Sequence, residues 1–299
     1  MRPAVRPTSW PARCDDRRGM RFEKWQALGN DYLIVELGEV PWELTAARVR
    51  RICDPHRGLG TDGILLLSPS PLAAHVAALR IYNPDGSEAE LSGNGARQAM
   101  IYLRRRGHVD RDEFSILTPA GAISARITGR SSASIDLGHA ATRSKDFPSG
   151  APDGRGQLDA AGRSWSFQHV SIGNPQCAIA HEDLEQLDLA AVGPSIEHHA
   201  LFPNRTNVSW YRELEPGVIR ARIFERGVGE TLSSGTGASG AAIAHHLAGG
   251  PAEILVRLDG GELTVAIGEQ LHVTLTGWAV PVFAGALADD FRKELDETQ

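Results

Sequence analysis

The chain has 299 residues, 41% hydrophobic and 23% charged, with a net charge of −6. That is room for two domains with real cores, at roughly 100–200 residues per domain; it is too apolar for wholesale disorder, and its acidic balance excludes an electrostatic nucleic-acid binder. No apolar run approaches the ~18 residues of a membrane span, and three cysteines, Cys14, Cys53 and Cys177, are too few for a disulfide scaffold and lack metal-ligand spacing, so a reducing, cytoplasmic setting is expected.

Residues 1–19 carry five Arg, three Pro and no apolar stretch. They lack the hydrophobic segment of a secretory signal, Asp15 and Asp16 count against a transit peptide, and a disordered extension is expected. Folded sequence is expected from Met20, opening on the strand-like Arg21-Phe22-Glu23-Lys24-Trp25. Alternation and β-branched content predict further strands over 32–36, 64–67, 77–82, 113–117, 122–127 and 133–137. A second series is predicted over 165–171, 178–180, 206–210, 218–224, 253–258, 262–266 and 270–276. Helical spacing is confined to 45–53, 95–106 and the Ala-rich 238–248. The Gly/Pro/Asp/Ser-rich stretch 142–162 reads as a loop at or near a domain boundary. Many strands with one long helix per half predict an α+β fold rather than alternating βαβ units.

The two halves repeat each other. Gly29-Asn30-Asp31 returns as Gly173-Asn174-Pro175, displaced by 144, and Ser92-Gly93-Asn94-Gly95-Ala96 returns as Ser234-Gly235-Thr236-Gly237-Ala238, displaced by 142. Glu88 and Glu230 each stand four residues before the serine. Two matched pairs at nearly one displacement point to two similar domains facing each other.

A Ser-Gly-x-Gly segment at a helix start presents backbone N–H groups and the positive end of the helix dipole to an anion. A serine from each domain could then take a proton from one face of a carbon and return one to the other. As a plain N-cap, the same serine satisfies an N2 or N3 amide and does no chemistry. Asn30, Asn83, Asn174 and Asn207 lie in loops beside strand ends. There they can pin a zwitterion, donating to carboxylate and accepting from ammonium, or serve as turn residues. Arg226, after Glu225, can grip a carboxylate with two bonds. The pairs His198-His199 and His245-His246 have no ligand-spaced partners and read as surface or helix residues, with no metal site.

Together, Leu28-Gly29-Asn30-Asp31-Tyr32, residues 56–63 (HRGLGTDG), Asn83-Pro84-Asp85-Gly86-Ser87-Glu88, Ser92-Gly93-Asn94-Gly95-Ala96-Arg97, Gly173-Asn174-Pro175 and residues 225–231 (ERGVGET) resemble, in order, the motifs of the diaminopimelate epimerase family. The resemblance covers residues 20 to about 287. It implies two pseudo-symmetric α+β domains, each a mixed, mostly antiparallel, barrel-like sheet around a central helix. The first would comprise 20–139 with a return segment 276–290, and the second 140–275. It implies a cofactor-independent isomerase that interconverts LL-2,6-diaminopimelate and meso-diaminopimelate, on the lysine and peptidoglycan pathway. Its partner would be a small diamino-dicarboxylate substrate, with no nucleic acid and no membrane, and the chain could form a homodimer. The family's substrate-binding positions fall on Asn30, Asn83, Gly93, Asn94, Asn174, Asn207, Glu225, Arg226, Gly235 and Thr236.

Its two catalytic positions, cysteines in the family, fall on Ser92 and Ser234. Gln176 stands where the family usually has His, and Gly63 where it sometimes has Gln. A free thiol titrates near pH 8.5 and lower at a helix start, whereas a serine hydroxyl is essentially all protonated at neutral pH. A deficit of about 4 units in the base form corresponds to roughly 5 kcal/mol, so serine is a sound proton donor and a poor base. Three readings fit the residues: a diaminopimelate epimerase working through Ser92 and Ser234, a related racemase, isomerase or dehydratase on another small amino acid, and a catalytically silent amino-acid-binding homologue.

Overall fold

Strict apolar–polar alternation turns most of the chain into strands with one face inward. Glu113–Thr118 buries Phe114, Ile116 and Thr118, and Gly261–Ile267 buries Leu263, Val265 and Ile267, while their neighbours stay half-buried or exposed. A computed structural model describes residues 20–90 and 92–298. The expected N-terminal extension 1–19, and Cys14 within it, lies outside the described residues.

In chain order the first half holds β1 (Arg21–Ala27), β2 (Asn30–Glu36), α1 (Ala46–Cys53), β3 (Ile64–Pro69), β4 (Ala77–Tyr82) and β5 (Glu88–Ala89), followed by α2 (Gly93–Arg105), β6 (Glu113–Thr118), β7 (Gly121–Gly129) and β8 (Ser132–His139). The second half holds β9 (Arg155–Ala160), β10 (Arg163–Ser171), β11 (Pro175–Ala180), α3 (Leu189–Glu197), β12 (Asn207–Glu215) and β13 (Val218–Glu225). It continues with β14 (Gly229–Thr231), α4 (Gly235–Leu247), β15 (Glu253–Leu258), β16 (Gly261–Ile267) and β17 (His272–Trp278). The chain then returns through β18 (Val280–Ala286) and α5 (Asp289–Glu297).

The chain divides into two compact units, one running to Ile135 and resuming at Trp278, the other spanning Asp136–Gly277. In the first, β18 pairs with β1, β1 with β2, β2 with β3, β3 with β4, β4 with β5 and with β6, β6 with β7, and β7 with β8. Only β2–β3 and β4–β6 are parallel. In the second, the order β9, β10, β11, β12, β13, β15, β16, β17, with β14 on β13, repeats that pattern link for link. Its parallel links, β11–β12 and β13–β15, fall at the equivalent places.

In each unit the strands pack around a helix. The α2 helix packs against β1, β2, β3, β4 and β7, and α4 against β10, β11, β12, β13, β15 and β16. Both are buried nearly all round, from Asn94 to Leu103 and from Gly237 to His245, as a helix at the centre of a core must be. The small residues of α4 serve this enclosure: a Cβ at Gly240 would lie 2.9 Å from Gln176 Cβ, and one at Gly237 would lie 2.8 Å from Ile223. Around α1, Met20, Leu33, Val49, Ile52, Ile64 and Leu295 form a further core in the first unit. Trp165, Phe167, Cys177, Leu189, Val208 and Trp210 form one in the second.

Some expectations need correction. The stretch 142–162 is not all loop, because Arg155–Ala160 is strand β9, with Leu158 and Ala160 inward. The unit division falls inside β8, shortly before that stretch. His245, expected on the surface or in a helix, lies in helix α4, where it is buried with its ring against Tyr211 at 6.2 Å. The helix expected over 95–106 starts at Gly93, because Ser92 already caps it.

One buried polar cluster ties α2 to β2. Tyr102 O–H donates to Glu36 Oε1 at 2.8 Å, and His108 Nε2 lies 2.8 Å from the same oxygen. Burial raises the Glu36 pKa, but these hydrogen bonds outweigh it and hold the carboxyl below its ordinary value. The stabilisation from such a depressed carboxyl is present above the ordinary carboxylate range and is lost as pH falls through its own pKa. Tyr102→Phe is expected to cost about 1.5–3 kcal/mol at neutral pH. Urea denaturation at neutral and at acidic pH should show the cost shrinking at the lower pH.

Candidate active site

The N-terminus of α2 anchors the first cluster. Ser92 has extended backbone angles, φ −135° and ψ 121°, and its Oγ accepts from Gly95 N–H at 3.0 Å. A Cβ at Gly95 would sit 3.2 Å from that oxygen and 3.0 Å from Leu65, so glycine gives the cap its room. Tyr32 O–H bonds to Ser92 Oγ at 3.3 Å. Gly63 makes space for that ring: a Cβ there would collide with Tyr82 O at 2.2 Å and with Tyr32 at 2.9 Å.

Asn30 opens β2 after a tight turn in which Leu28 and Gly29 both have positive φ. Its Nδ2 donates to Asp62 Oδ2 at 2.9 Å, and its carbonyl accepts from Gln98 Nε2 of α2 at 3.0 Å. Asp31 N–H bonds to the same Asp62 oxygen at 3.0 Å, latching the two loops together. Asn94 faces inward and accepts from the fully buried Arg97 at 2.7 Å; Arg97 Nε reaches Trp278 O at 3.1 Å. Burial lowers the Arg97 pKa to about 10. The Asn83 side chain bonds within its own turn, Nδ2 donating to Ser87 Oγ at 2.9 Å. A Cβ at Gly93 would meet nothing within 4 Å.

The second unit builds the same start on α4. Ser234, φ −140° and ψ 124°, accepts from Gly237 N–H at 3.2 Å. Its hydroxyl donates to Glu225 Oε2 at 3.0 Å, and Thr231 O–H donates to Glu225 Oε1 at 2.9 Å. Burial raises the Glu225 pKa against these two hydrogen bonds, which lower it; the balance stays above the ordinary carboxylate value. Asn174 Nδ2 donates to Thr236 Oγ1 at 3.2 Å, and the buried Gln176 donates to Asn174 Oδ1 at 2.7 Å. Asn207 Oδ1 accepts Arg226 N–H at 2.8 Å. Gly235, beside Thr236 in the first turn, has its nearest neighbour in Leu275, 3.0 Å from a built Cβ. Hydrogen bonds thus join Asn174 to Thr236, Arg226 to Asn207 and Ser234 to Glu225.

The repeat makes the differences between the clusters legible. The displacement of 142 that carries Ser92 to Ser234 also carries Arg80 to Arg222, Glu88 to Glu230 and Asn83 to Glu225. The arginine–glutamate pairs recur, at 2.8 Å for Arg80–Glu88 and 2.6 Å for Arg222–Glu230. Glu88 and Glu230 are therefore bound to arginines, and the carboxylate on a serine is Glu225. Among the described residues, no group of three or more His, Cys, Asp or Glu side chains is placed to hold a metal ion, and no helix is long and apolar enough to cross a membrane.

Sequence reasoning missed three residues of these clusters. Tyr32 was read only as strand, although the motif around Asn30 contains it. Thr231 lay in the motif after Glu225 without a role. Glu197, at the end of α3, had no local signal at all. It is buried, accepts Gly227 N–H at 2.9 Å and holds Arg205 at 3.2 Å, which fixes the loop after Glu225.

The model of the family described as diaminopimelate epimerase matches residues 22–142 and 168–282. "Diaminopimelate epimerase 2" of Nostoc sp. is 37% identical over 278 residues, 91% of this chain and 96% of its own length. A diaminopimelate epimerase of Desulforudis audaxviator is 39% identical over 275 residues, 89% of this chain and 98% of its own. Among solved structures, a PhzF-family phenazine biosynthesis protein of Bacillus anthracis superposes with a TM-score of 0.63 at 19% identity, covering 91% of this chain and 99% of its own. A hydroxyproline epimerase of Agrobacterium vitis with bound trans-4-hydroxy-L-proline superposes with a TM-score of 0.63 at 18% identity, covering 92% and 94%. These two share the α+β fold.

Glu197→Ala removes a buried charged acceptor, a loss of about 1.5–3 kcal/mol. Hydrogen exchange followed by mass spectrometry should show residues 226–228 exchanging about 10-fold faster or more, with α2 unchanged.

Proposed function

Because the chain belongs to the diaminopimelate epimerase family, we propose that it interconverts LL-2,6-diaminopimelate and meso-diaminopimelate, with Ser92 and Ser234 as its two proton carriers. Near-full-length similarity to relatives of that name carries the reading. The site chemistry supports it. Diaminopimelate is an amino acid at both ends, so it offers two carboxylates and two ammonium groups. A carboxylate suits the N–H groups of a helix N-terminus, and each unit has such a helix, started by Ser92-Gly93-Asn94 or Ser234-Gly235-Thr236. Asn30, Asn83, Asn174 and Asn207 supply both donors and acceptors, Arg226 a cation for a carboxylate, and Glu225 an anion for an ammonium.

Epimerisation removes the α-proton from one face and returns a proton to the other. It therefore needs two proton carriers, and the chain has one at each helix start. No cofactor has a part in this reading. The same reading places the enzyme in the cytosol, with a homodimer as its assembly.

The direct test is α-proton exchange of LL-diaminopimelate in D₂O, followed by NMR. The wild-type chain should exchange and epimerise, and EDTA or removal of pyridoxal phosphate should leave the rate unchanged. Ser92→Ala and Ser234→Ala should each abolish epimerisation, because one face loses its proton carrier. The double change Ser92→Cys, Ser234→Cys should raise it, because a thiolate is a far stronger base population at neutral pH. If both serines were only N-caps, Ser→Ala would cost about 1 kcal/mol of stability and leave turnover intact; that result would remove them from the mechanism.

A further inference from the structure

Arg97 carries a cost that the fold does not offset. Its side chain is fully buried, and among the described residues no carboxylate pairs with it. The guanidinium donates to two neutral acceptors, Trp278 O at 3.1 Å from Nε and Asn94 Oδ1 at 2.7 Å from Nη2. Its Nη1 is buried with no hydrogen-bond partner among the described residues. A buried charge without a counter-charge is expensive. Burial lowers the pKa of the group to about 10, so it is still a cation at neutral pH. Its place in the helix adds to the cost. Arg97 begins the second turn of α2, and helical side chains lean toward the N-terminus, which brings the guanidinium back onto Asn94 in the first turn. A cation there opposes the positive end of the helix dipole.

The repeat shows that a helix enclosed in this way does not need the charge. The displacement of 142 that carries Asn94 to Thr236 carries Arg97 to Ser239. Ser239 is as fully buried, and its hydroxyl donates to Gly235 O of its own helix at 2.8 Å. Both penalties at Arg97 reverse sign when an anion is received at the start of α2, where a Cβ on Gly93 would meet nothing within 4 Å. We infer that Arg97 is a positioning residue of the reaction: acting through Asn94, its buried guanidinium makes the start of α2 a site for a carboxylate whose negative charge grows as the α-proton leaves. The inference rests on the epimerase reading.

The chemistry gives such a charge a use. When the α-C–H bond breaks, the electron pair left on the α-carbon spreads onto the adjoining carboxylate oxygens, so that carboxylate gains negative charge between ground state and carbanion. A fixed cation in a dry site stabilises the second state more than the first, and it needs no reorganisation to do so. Arg97 is fixed by its two hydrogen bonds and shielded from water by the core. Because a guanidinium can only donate, its bond also holds Asn94 with Oδ1 turned to the core.

The experiment compares the wild type with Arg97→Lys, Arg97→Gln and Asn94→Asp in steady-state epimerisation, calorimetric titration with LL-diaminopimelate and thermal melting of the unliganded chain. Arg97→Gln keeps a donor for Asn94 and loses the charge, whereas Arg97→Lys keeps the charge and loses the fork. Arg97→Gln should lower kcat about 10-fold or more and weaken binding by a smaller factor, and Arg97→Lys should recover part of both. If Arg97 serves packing alone, activity will follow the melting temperature instead, and Lys will rescue no better than Gln; that result would overturn the inference. Asn94→Asp leaves Arg97 in place and sets a carboxylate where the guanidinium now meets an amide. It should raise Tm by about 2 °C or more and lower kcat about 10-fold or more, because the cation is then neutralised from within. It keeps the inference testable even if the Arg97 variants fail to fold: an Asn94→Asp chain with unchanged Tm or undiminished kcat would overturn it. A wild-type chain that binds LL-diaminopimelate and exchanges no α-proton would overturn the epimerase reading, a distinct result, and the titrations would still read what Arg97 contributes to holding the carboxylate.

Discussion

A helix enclosed by its own sheet is the constraint on which both units depend. Such a helix has no solvent face, so its side chains must either fill the core or be small enough for strands to close over them. The two helices meet this differently. The α2 helix is large and apolar at Ala99–Leu103 and carries the buried Arg97, while α4 is nearly all Gly, Ala and Ser as far as Ala244. At their starts they converge, because the first turn must leave room for a serine to fold back on the third helical amide. Gly95 and Gly237 provide that room. The same geometry turns a helix N-terminus toward whatever anion the loop receives.

From that common start the units diverge by side chains brought in from the strands. Tyr32 of β2 reaches Ser92, and Glu225 at the end of β13 reaches Ser234. One brings a phenol, the other a carboxylate. The repeat is thus a scaffold symmetry with a chemical asymmetry laid on it. The supporting residues follow the scaffold: the Arg80–Glu88 and Arg222–Glu230 pairs brace the two serine loops from equivalent places, while Gln176 orders Asn174 and Glu197 orders the loop after Glu225.

Much of the fold was legible because strands that bury one face must alternate, as β6 and β16 do. Elements without a pattern were hidden. The α3 helix carries Gly193 and Pro194 inside it, α5 is acidic with only Leu295 buried, and β5 and β14 are two and three residues long. Strand β9 was masked by the glycines and prolines around it, since only Leu158 and Ala160 point inward. Of the two places expected for His245, surface or helix, the structure selects the helix, and a helix enclosed on all sides has no surface face for it to occupy.

The sequence alone determined the repeat, the serine at each helix start, the family resemblance and the polar set around it, because each is a statement about residue type and spacing. It could not decide which acid or base touches which serine. Glu88 and Glu230 lie nearer to the serines along the chain than Tyr32 does, and Glu230 nearer than Glu225. Sheet pairing nevertheless joins those two glutamates to arginines and swings Glu225 onto Ser234. Tyr32 comes from 60 residues away, admitted by the absent side chain of Gly63. Proton transfer depends on contacts of about 3 Å, and only the packing of strand ends against a helix start sets distances on that scale.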